Sequence, residues 1–210
     1  MIDLNRFIVD LASDSPAPGG GAASAVTGIV AVSLCSMVSG LSMKKKGYEE
    51  KKREFESILA ECTDIRNELS DLAELDTAAF NGIMESRRLP RSTEEEKKRR
   101  DKAIANATKS AISSPWRIAA TCRRVAAISL RLLDMGLPGA ITDAGASLNM
   151  AVSAIESSLL NVSINLKYMN DKEYVESEKM KIRIFMEDVN LMKKQGEGRI
   201  VSSIGKEFMW

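Results

Sequence analysis

The chain of 210 residues is long enough for one domain, and its 44% hydrophobic and 28% charged residues are typical of a globular protein. Thirty basic and twenty-nine acidic residues leave a net charge of +1, which argues against a nucleic-acid interface, because such an interface needs a basic excess. The sequence has no histidine, which excludes the usual catalytic triads and histidine-ligated zinc sites.

The cysteines and the N-terminus favour a protein of a reducing compartment. An odd number of cysteines without a CxxC pair indicates neither a metal site nor a closed set of disulfides. Charged residues such as Asp3 and Arg6 precede the first apolar run, so the N-terminus does not resemble a signal peptide. We therefore expect a cytoplasmic protein. Three buried, structural thiols are expected at Cys35, Cys62 and Cys122.

The first two predicted elements are helices separated by a turn. Ile2 to Leu11 has the apolar spacing of a short amphipathic helix, and the Asp14–Pro18 segment ends it. Three consecutive glycines, Gly19–Gly21, then open a second helix that runs to about Ser42. Glycines at a helix N-terminus leave backbone N–H groups free to face an anion or a carbonyl oxygen, although they also serve simply to turn the chain. A nucleotide-binding P-loop is excluded, because its lysine and preceding strand are missing.

The second helix contains a long uncharged stretch. Ala22–Leu41 matches the length of a membrane span, and Lys44–Lys46 follow it as a basic flank. The stretch is, however, rich in serine and alanine and poor in large apolar side chains. We therefore favour a buried central helix, closely approached by its neighbours, over a membrane span.

A long third helix is predicted from about Tyr48 to Arg87. Its apolar residues recur every three or four positions, which is the core-facing pattern of a bundle helix. A helix of this length would extend roughly 60 Å, which suggests either a kink or a dimer. The apolar stripe consists of Phe55, Ile58, Leu59, Cys62, Ile65, Leu69, Leu72, Leu75, Ala79 and Ile83.

A fourth helix follows the Arg88–Pro90 turn. Ser92 or Thr93 is placed as its N-cap, with glutamates three positions later that complete a capping box. Pro115 is expected to divide or kink this helix, because proline lacks the backbone N–H that a helix interior requires. "MGLPG" at Met135–Gly139 ends it.

Two more helices, about Thr142–Tyr168 and about Asp171–Lys194, complete the pattern, and the residues from about 196 form a frayed or docked tail. The sequence therefore predicts one all-α domain over residues 1–210. We expect a multi-helix bundle of five to seven long helices that forms a homodimer.

Seven segments stand in a distinctive order along the chain. They are "SPAPGGGAASAV", "MVSGLSMKKKGYEE", "LAELDTAAF", "RRLPRSTEEEKKRR", "SSPW", "ITDAGAS" and "LLNVSIN". Together they resemble the cyclodeaminase/cyclohydrolase family, which comprises the C-terminal domain of formiminotransferase-cyclodeaminase and stand-alone methenyltetrahydrofolate cyclohydrolases. The resemblance covers roughly residues 1–195. The chain departs from the family pattern at Lys44, Arg91 and Thr142, where glycine, lysine and serine are usual.

The resemblance implies an enzyme of tetrahydrofolate one-carbon metabolism. The expected reaction is hydrolysis of 5,10-methenyltetrahydrofolate to 10-formyltetrahydrofolate, and the alternative is the formimidoyltetrahydrofolate cyclodeaminase reaction, which releases ammonia. Neither reaction needs a metal or a redox cofactor, so a folate substrate and a second copy of the chain are the expected partners. A non-catalytic helical dimer or scaffold is the alternative from another class.

The resemblance also implies that Asp76 is the catalytic proton acceptor. A carboxylate suits this reaction because it stabilises the methenyl cation and accepts a proton from the attacking water. Without the resemblance, Asp76 together with Glu74 and Asp71 reads as a solvated acidic face. Its apolar neighbours Leu75 and Ala79 predict partial burial, which would raise its pKa.

Two basic segments and the glycine turn match family positions for substrate binding. Pro18 and Gly19–Gly21 are expected to form a wall of the folate pocket. Lys45, Lys46 and Arg88 are expected to bind the carboxylates of the folate tail, although basic residues in loops are often only solvated.

Three polar residues of the predicted fifth helix are the last substrate-binding candidates. Asp143 either binds pterin N–H groups or caps the helix that begins there. Asn161 and Asn165 lie one turn apart on one helix face, where their amides bind either a pterin edge or each other.

Overall fold

The computed structural model describes residues 2–208, which form six α-helices and no β-strand. The predicted all-α class is therefore confirmed. Short 3-10 turns at Glu49–Lys51, Pro138–Ala140 and Lys206–Phe208 flank the longer elements. The helices are α1 (Leu4–Leu11), α2 (Gly20–Met43), α3 (Lys52–Arg88), α4 (Glu94–Met135), α5 (Ile141–Leu166) and α6 (Lys172–Ile204).

Helix α2 is the central element of the bundle. It packs against α3, α4 and α5, while α6 covers α4 and α5 from outside. By length and composition α2 also qualifies as a membrane span, but half of its most apolar window is buried, as in a core helix. Close approach of the neighbouring helices was predicted from its small residues. At Gly28 an added Cβ would lie 2.6 Å from Cys122 Sγ and 2.9 Å from Leu69 Cδ1, so the neighbours touch its backbone.

The apolar stripe of α3 largely faces the core, as predicted. Phe55, Ile65 and Leu69 are fully buried. Leu75 is an exception, because 44% of it is exposed and it lines a cleft between α3 and α4. The cysteines Cys35, Cys62 and Cys122 are all free and buried, also as predicted.

Helix α4 runs unbroken past Pro115, so the predicted division of this helix is wrong. Its start agrees with the prediction, since the Thr93 side chain and Glu96 form a capping box. Pro115 cannot donate to the carbonyl of Ala111. The Asn165 side chain of α5 donates to that carbonyl instead, at 2.9 Å, and thereby supplies the missing hydrogen bond.

Helix α6 extends to Ile204, so its predicted end near Lys194 was ten residues short. Gly196 and Gly198, which belong to the predicted tail, lie inside the helix. Gly196 is buried, and an added Cβ there would overlap Cδ2 of Leu148. Residues 196–204 therefore continue the helix, and the last part of the predicted tail, Met209–Trp210, lies outside the described residues.

Candidate active site

Asp76 lies on α3 against the N-terminus of α2. A Cβ added to Gly21 would stand within 2.5 Å of the Asp76 Cγ, so only glycine leaves room for this carboxylate. Asp76 Oδ1 accepts a hydrogen bond from Ser114 Oγ at 3.0 Å. The backbone N–H of Ala22 also donates to the carboxylate. Three helices thus meet at one half-buried carboxylate.

The local sequence explains why the carboxylate sits there. Gly19, the N-cap of α2, has no side chain that could accept from the free N–H groups of the first turn. Asp76 accepts from one of them, and so performs across helices the task that a capping residue performs within one. The positive end of the helix dipole further favours a carboxylate at this point.

Burial raises the pKa of Asp76 above its ordinary value, as the sequence predicted. The hydrogen bonds from Ser114 and from the Ala22 N–H act in the opposite direction, but burial has the larger effect. A carboxylate with a raised pKa is a stronger base than an ordinary carboxylate, which suits a proton acceptor. The site therefore has the chemistry of a general base.

The two asparagines of α5 lie beside the same end of α2. A Cβ added to Gly20 would come 3.3 Å from Asn161 Nδ2, which places Asn161 next to the glycine turn. Asn161 Nδ2 donates to the Ser157 carbonyl at 2.9 Å. Asn165 Nδ2 donates to the carbonyls of Ala111 and Asn161, each at 2.9 Å. Both N–H groups of Asn165 are therefore used within the protein.

Two clefts flank Asp76. One, of about 410 Å³, lies between α1 and α3, and Pro18 lines it. The other, of about 380 Å³, lies between α3 and α4 and has small, mostly apolar walls that include Leu75, Ala79 and Ser114. Ser114 lines this second cleft and donates to the Asp76 carboxylate, so one side chain separates the cleft from the candidate proton acceptor.

Arg88 is the last residue of α3 and is exposed. It follows Asp76 by twelve residues, which is about 18 Å along the helix. The guanidinium of its neighbour Arg87 lies 5.9 Å from the ring centre of Tyr168. Arg100 donates to the Arg87 carbonyl at 3.2 Å. A positively charged turn therefore lies at the end of the helix that carries Asp76.

The remaining candidates lie at the opposite end of the bundle. Lys45 and Lys46 are exposed beyond the C-terminus of α2, about 35 Å from its glycine turn. Asp143 lies in the first turn of α5, eighteen residues or about 27 Å before Asn161. Asp143 is the third residue of α5 and Ala140 is the N-cap, so the alternative prediction that Asp143 caps the helix is wrong. Within one chain these residues do not join the Asp76 site.

Sequence reasoning missed two partners of Asp76, the Ser114 hydroxyl and the Ala22 N–H. The "SSPW" segment contained a signal for the first of them, since a proline inside a helix marks a place where ordinary helical hydrogen bonding stops. Between residues 2 and 208 no three Cys, Asp or Glu side chains form a cluster that could hold a metal ion.

Comparisons with known proteins point to one family. The family model described as formiminotransferase-cyclodeaminase matches residues 3–183. Methenyltetrahydrofolate cyclohydrolase of Methylorubrum extorquens is 33% identical over 173 residues, covering 82% of this chain and 83% of that protein. Formimidoyltransferase-cyclodeaminase of Gallus gallus is 27% identical over 204 residues, which cover 97% of this chain but only 37% of that protein.

A solved structure agrees with these relatives. The crystal structure of formiminotetrahydrofolate cyclodeaminase from Thermotoga maritima superposes with a TM-score of 0.80 at 27% sequence identity. The match covers 100% of this chain and 98% of that one, so the two proteins share one fold.

Proposed function

The chain belongs to the formiminotransferase-cyclodeaminase family, and on that premise we propose that it hydrolyses 5,10-methenyltetrahydrofolate to 10-formyltetrahydrofolate with Asp76 as the proton acceptor. The prediction of a folate one-carbon enzyme, rather than a non-catalytic scaffold, is confirmed by the relatives. The observation that carries the role of Asp76 is its half-buried carboxylate, held by Ser114 Oγ and the Ala22 N–H at the start of α2.

The reaction needs one proton acceptor that later becomes a donor. Water adds to the cationic methenyl carbon between N5 and N10, and Asp76 takes a proton from that water as the C–O bond forms. The protonated Asp76 then gives this proton to N5 as the C–N5 bond breaks. The hydroxyl of the adduct loses its proton to solvent and becomes the formyl oxygen. The balance is one water consumed and one proton released.

The glycine turn makes the second contribution to the proposed reaction, through its backbone N–H groups. The first N–H groups of a helix have no partner within the helix. Gly21 lies beside Asp76 and Gly20 lies beside Asn161, and neither residue has a Cβ that would keep a ligand away from its N–H. We assign these N–H groups to the oxygen that develops on the one-carbon unit, because fixed backbone donors stabilise such an oxygen without reorganising.

The substrate lies in the α3–α4 cleft under this proposal, with its tail towards Arg88. Arg88 lies about 18 Å from Asp76 along α3, whereas Lys45 and Lys46 lie about twice as far away along α2. One folate molecule at Asp76 therefore meets Arg88 before either lysine. The roles of Lys45, Lys46 and Asp143 in substrate binding stay predictions.

Removal of the Asp76 charge tests the proposal. We expect Asp76→Asn to fold normally and to lose turnover of 5,10-methenyltetrahydrofolate, followed as loss of its near-ultraviolet absorbance. Glu74→Gln is the matched control, because Glu74 lies two residues earlier on α3, is exposed and lines the other cleft. Near-normal turnover by Asp76→Asn would refute the assignment of Asp76 as the base.

Cyclodeamination is the second candidate, and the Thermotoga maritima cyclodeaminase, which matches over the whole chain, favours it. In that reaction formimidoyltetrahydrofolate closes to the methenyl form and ammonia leaves the same carbon. An ammonia assay with the formimidoyl substrate separates the two activities. Ammonia release without hydrolysis of the methenyl substrate would make the protein a cyclodeaminase.

We also propose that the reaction uses no redox cofactor, because neither water addition nor C–N opening changes an oxidation state. We propose that it needs no metal either, because the methenyl carbon is already cationic and needs no Lewis acid to polarise it. A cytoplasmic location stays a prediction.

A homodimer is part of the proposal. The face of α2 that points away from the bundle carries no charged side chain, although exposed helix faces are normally polar. A second copy of α2 would cover this apolar face. Its exposed or half-exposed residues are Ala23, Val26, Thr27, Val30, Ser33, Leu34, Met37, Gly40 and Leu41.

A further inference from the structure

Helix α4 has a gap in its hydrogen bonding next to the candidate base. Pro115 has no N–H, so the carbonyl of Ala111 loses its usual donor four residues ahead. Ala111 and Pro115 are both buried, so water cannot readily replace that donor. Asn165 of α5 fills the gap through Nδ2, at 2.9 Å from the Ala111 oxygen.

The same side chain also reaches the glycine turn. The second N–H of Asn165 donates to the carbonyl of Asn161, the residue that packs beside Gly20. Asn165 therefore fixes one turn of α4 relative to the end of α5 that touches the start of α2. Between residues 2 and 208 no other side chain donates to the Ala111 carbonyl.

The turn that Asn165 fixes is the one that holds Asp76. Ser114 directly precedes Pro115, and the proline restricts its backbone. Ser114 is 1% exposed, and its hydroxyl reaches Asp76 Oδ1 at 3.0 Å. A shift of this turn of α4 would lengthen that hydrogen bond, because the buried Ser114 side chain has little freedom to follow the carboxylate.

We propose that Asn165 is a positioning residue for Asp76: it occupies the Ala111 carbonyl that Pro115 leaves without a donor, and thereby holds Ser114 against the Asp76 carboxylate. This inference rests on the proposed function only where it predicts the effect of Asn165 on turnover. The effect of Asn165 on the Asp76 carboxylate follows from the hydrogen bonds alone. Asn165 thus acts through α4 rather than through the substrate.

Charged groups on the surrounding helices do not account for the state of Asp76. Within the described residues, burial, Ser114 and the Ala22 N–H are the causes of its altered pKa. Helix α2 has no charged side chain between Gly20 and Met43. On α3, α4 and α5, the charged residues nearest in sequence to the residues around Asp76 do not face its carboxylate. They are Glu74 in the α1–α3 cleft, Lys109 beside the Tyr174 ring, Arg117 in the α4–α6 cleft, exposed Glu156 and Lys167 in the α5–α6 cleft.

A double-mutant cycle between Asn165 and Pro115 is the test. Pro115→Ala restores an N–H that can donate to the Ala111 carbonyl, so Asn165 is no longer its only donor. The pKa of Asp76 is read from its carboxyl ¹³C signal, which is identified by its loss in Asp76→Asn. Turnover of 5,10-methenyltetrahydrofolate is measured in parallel as a function of pH.

We expect Asn165→Ala to raise the pKa of Asp76, in the same direction as Ser114→Ala, because the Ser114 hydrogen bond lowers that pKa. The acidic limb of the kcat/KM profile should move to higher pH with it, and kcat should fall about tenfold with a smaller change in KM. In the Pro115→Ala background the same Asn165→Ala change should leave the pKa and the profile nearly unaltered. Asn149→Ala, at an exposed position of α5, is the control and should change nothing.

Three results would overturn the inference. The first is an unchanged Asp76 pKa in Asn165→Ala. The second is an equal change of the Asp76 pKa on Asn165→Ala in the unaltered protein and in the Pro115→Ala variant. The third is a fall in stability without a shift of the pKa or of the pH profile, which would make Asn165 merely structural. If Asn165→Ala does not fold, Asn165→Leu keeps the side-chain volume. Folding of either variant only with Ala at position 115 would support the coupling, and failure in both backgrounds would refute it.

The proposed function fails separately from this inference. If the unaltered protein turns over neither folate substrate, the assignment of the reaction is wrong. The Asp76 pKa still reports whether Asn165 acts through the gap at Pro115, because that measurement needs no substrate.

Discussion

At the scale of single residues, the three glycines that begin α2 differ in what surrounds them. A Cβ at Gly21 would meet the Asp76 carboxylate, a Cβ at Gly20 would meet Asn161 Nδ2 at 3.3 Å, and a Cβ at Gly19 would have only the Pro16 oxygen nearby, at 3.9 Å. The three positions therefore form a graded series on one short segment.

We expect Gly21→Ala to abolish turnover and to lower the free energy of unfolding by about 1–3 kcal/mol, because the methyl group displaces Asp76. Gly19→Ala should retain most of the activity and cost less than about 1 kcal/mol, since glycine is only a modest N-cap. Steady-state kinetics and urea unfolding of both variants provide the measurement. Equal activities in the two variants would contradict the close contact between Gly21 and Asp76.

Asp76 should also reveal a conflict between stability and activity. Its raised pKa means that the native state binds this proton more tightly than the unfolded state. At a pH above the pKa that Asp76 has in the native state, its ionised carboxylate therefore lowers the free energy of unfolding. This loss becomes smaller as the pH falls towards the pKa that Asp76 has in the unfolded chain. We expect inactive Asp76→Asn to be more stable than the unaltered protein at pH 7, and the difference to shrink towards pH 4. Thermal unfolding across this pH range would show a constant difference if the prediction is wrong.

The apolar neighbours of Asp76 correctly predicted its partial burial and the direction of its pKa shift, but not what holds the carboxylate. The choice of Asp76 as the base came from the order of the motifs and stays a prediction. Ser114 stands 38 residues away in sequence, and its hydrogen bond to Asp76 depends on how α3 and α4 pack. Periodicity along one helix cannot contain that information. For the same reason, Lys45 and Asp143 were grouped with Asp76, although the helices place them at the other end of the bundle.

At the scale of elements, local sequence signals placed most helix boundaries within about four residues, but they failed at Pro115 and at the end of α6. The Thr93 capping box is a local interaction, and it was correct. Pro115 and Gly196 are ordinary stop signals, yet both lie inside helices. Each is accommodated by a neighbouring helix: Asn165 satisfies the carbonyl freed by Pro115, and Leu148 packs onto Gly196. Tertiary contacts thus overrode local propensity at both places.

Two glycines of α6 provide a matched test of this explanation. Gly196 is buried against Leu148, whereas Gly198 is exposed with nothing within 4 Å of an added Cβ. Gly196→Ala should destabilise the protein by about 1–3 kcal/mol through overpacking. Gly198→Ala should stabilise it by about 0.5–1 kcal/mol, because alanine loses less backbone freedom in a helix. Chemical unfolding of both variants tests whether the end of α6 is docked. Stabilisation by both substitutions would mean that it is not.

At the scale of the whole molecule, α2 has two different faces. One face touches α3, α4 and α5, and its Gly28 backbone contacts Cys122 and Leu69. The other face is apolar and open, with Val30, Met37 and Leu41 more than 40% exposed. The helix is about 35 Å long, so an uncovered face would expose an extended apolar strip to water. Either a second copy or a membrane would cover it, and the buried opposite face favours a second copy.

A charge in the middle of this strip tests the homodimer. Met37→Glu would place two like charges in the apolar contact between the copies, and we expect it to give a folded monomer. Leu191→Glu is the control, because Leu191 is 55% exposed on α6, away from the strip, and its substitution should leave the dimer intact. Light scattering after size-exclusion chromatography gives the mass, and circular dichroism shows that the helices persist. Dissociation by Leu191→Glu instead of Met37→Glu would move the interface to α6. Partition of the unaltered protein into the membrane fraction would mean that lipid, rather than a second copy, covers α2.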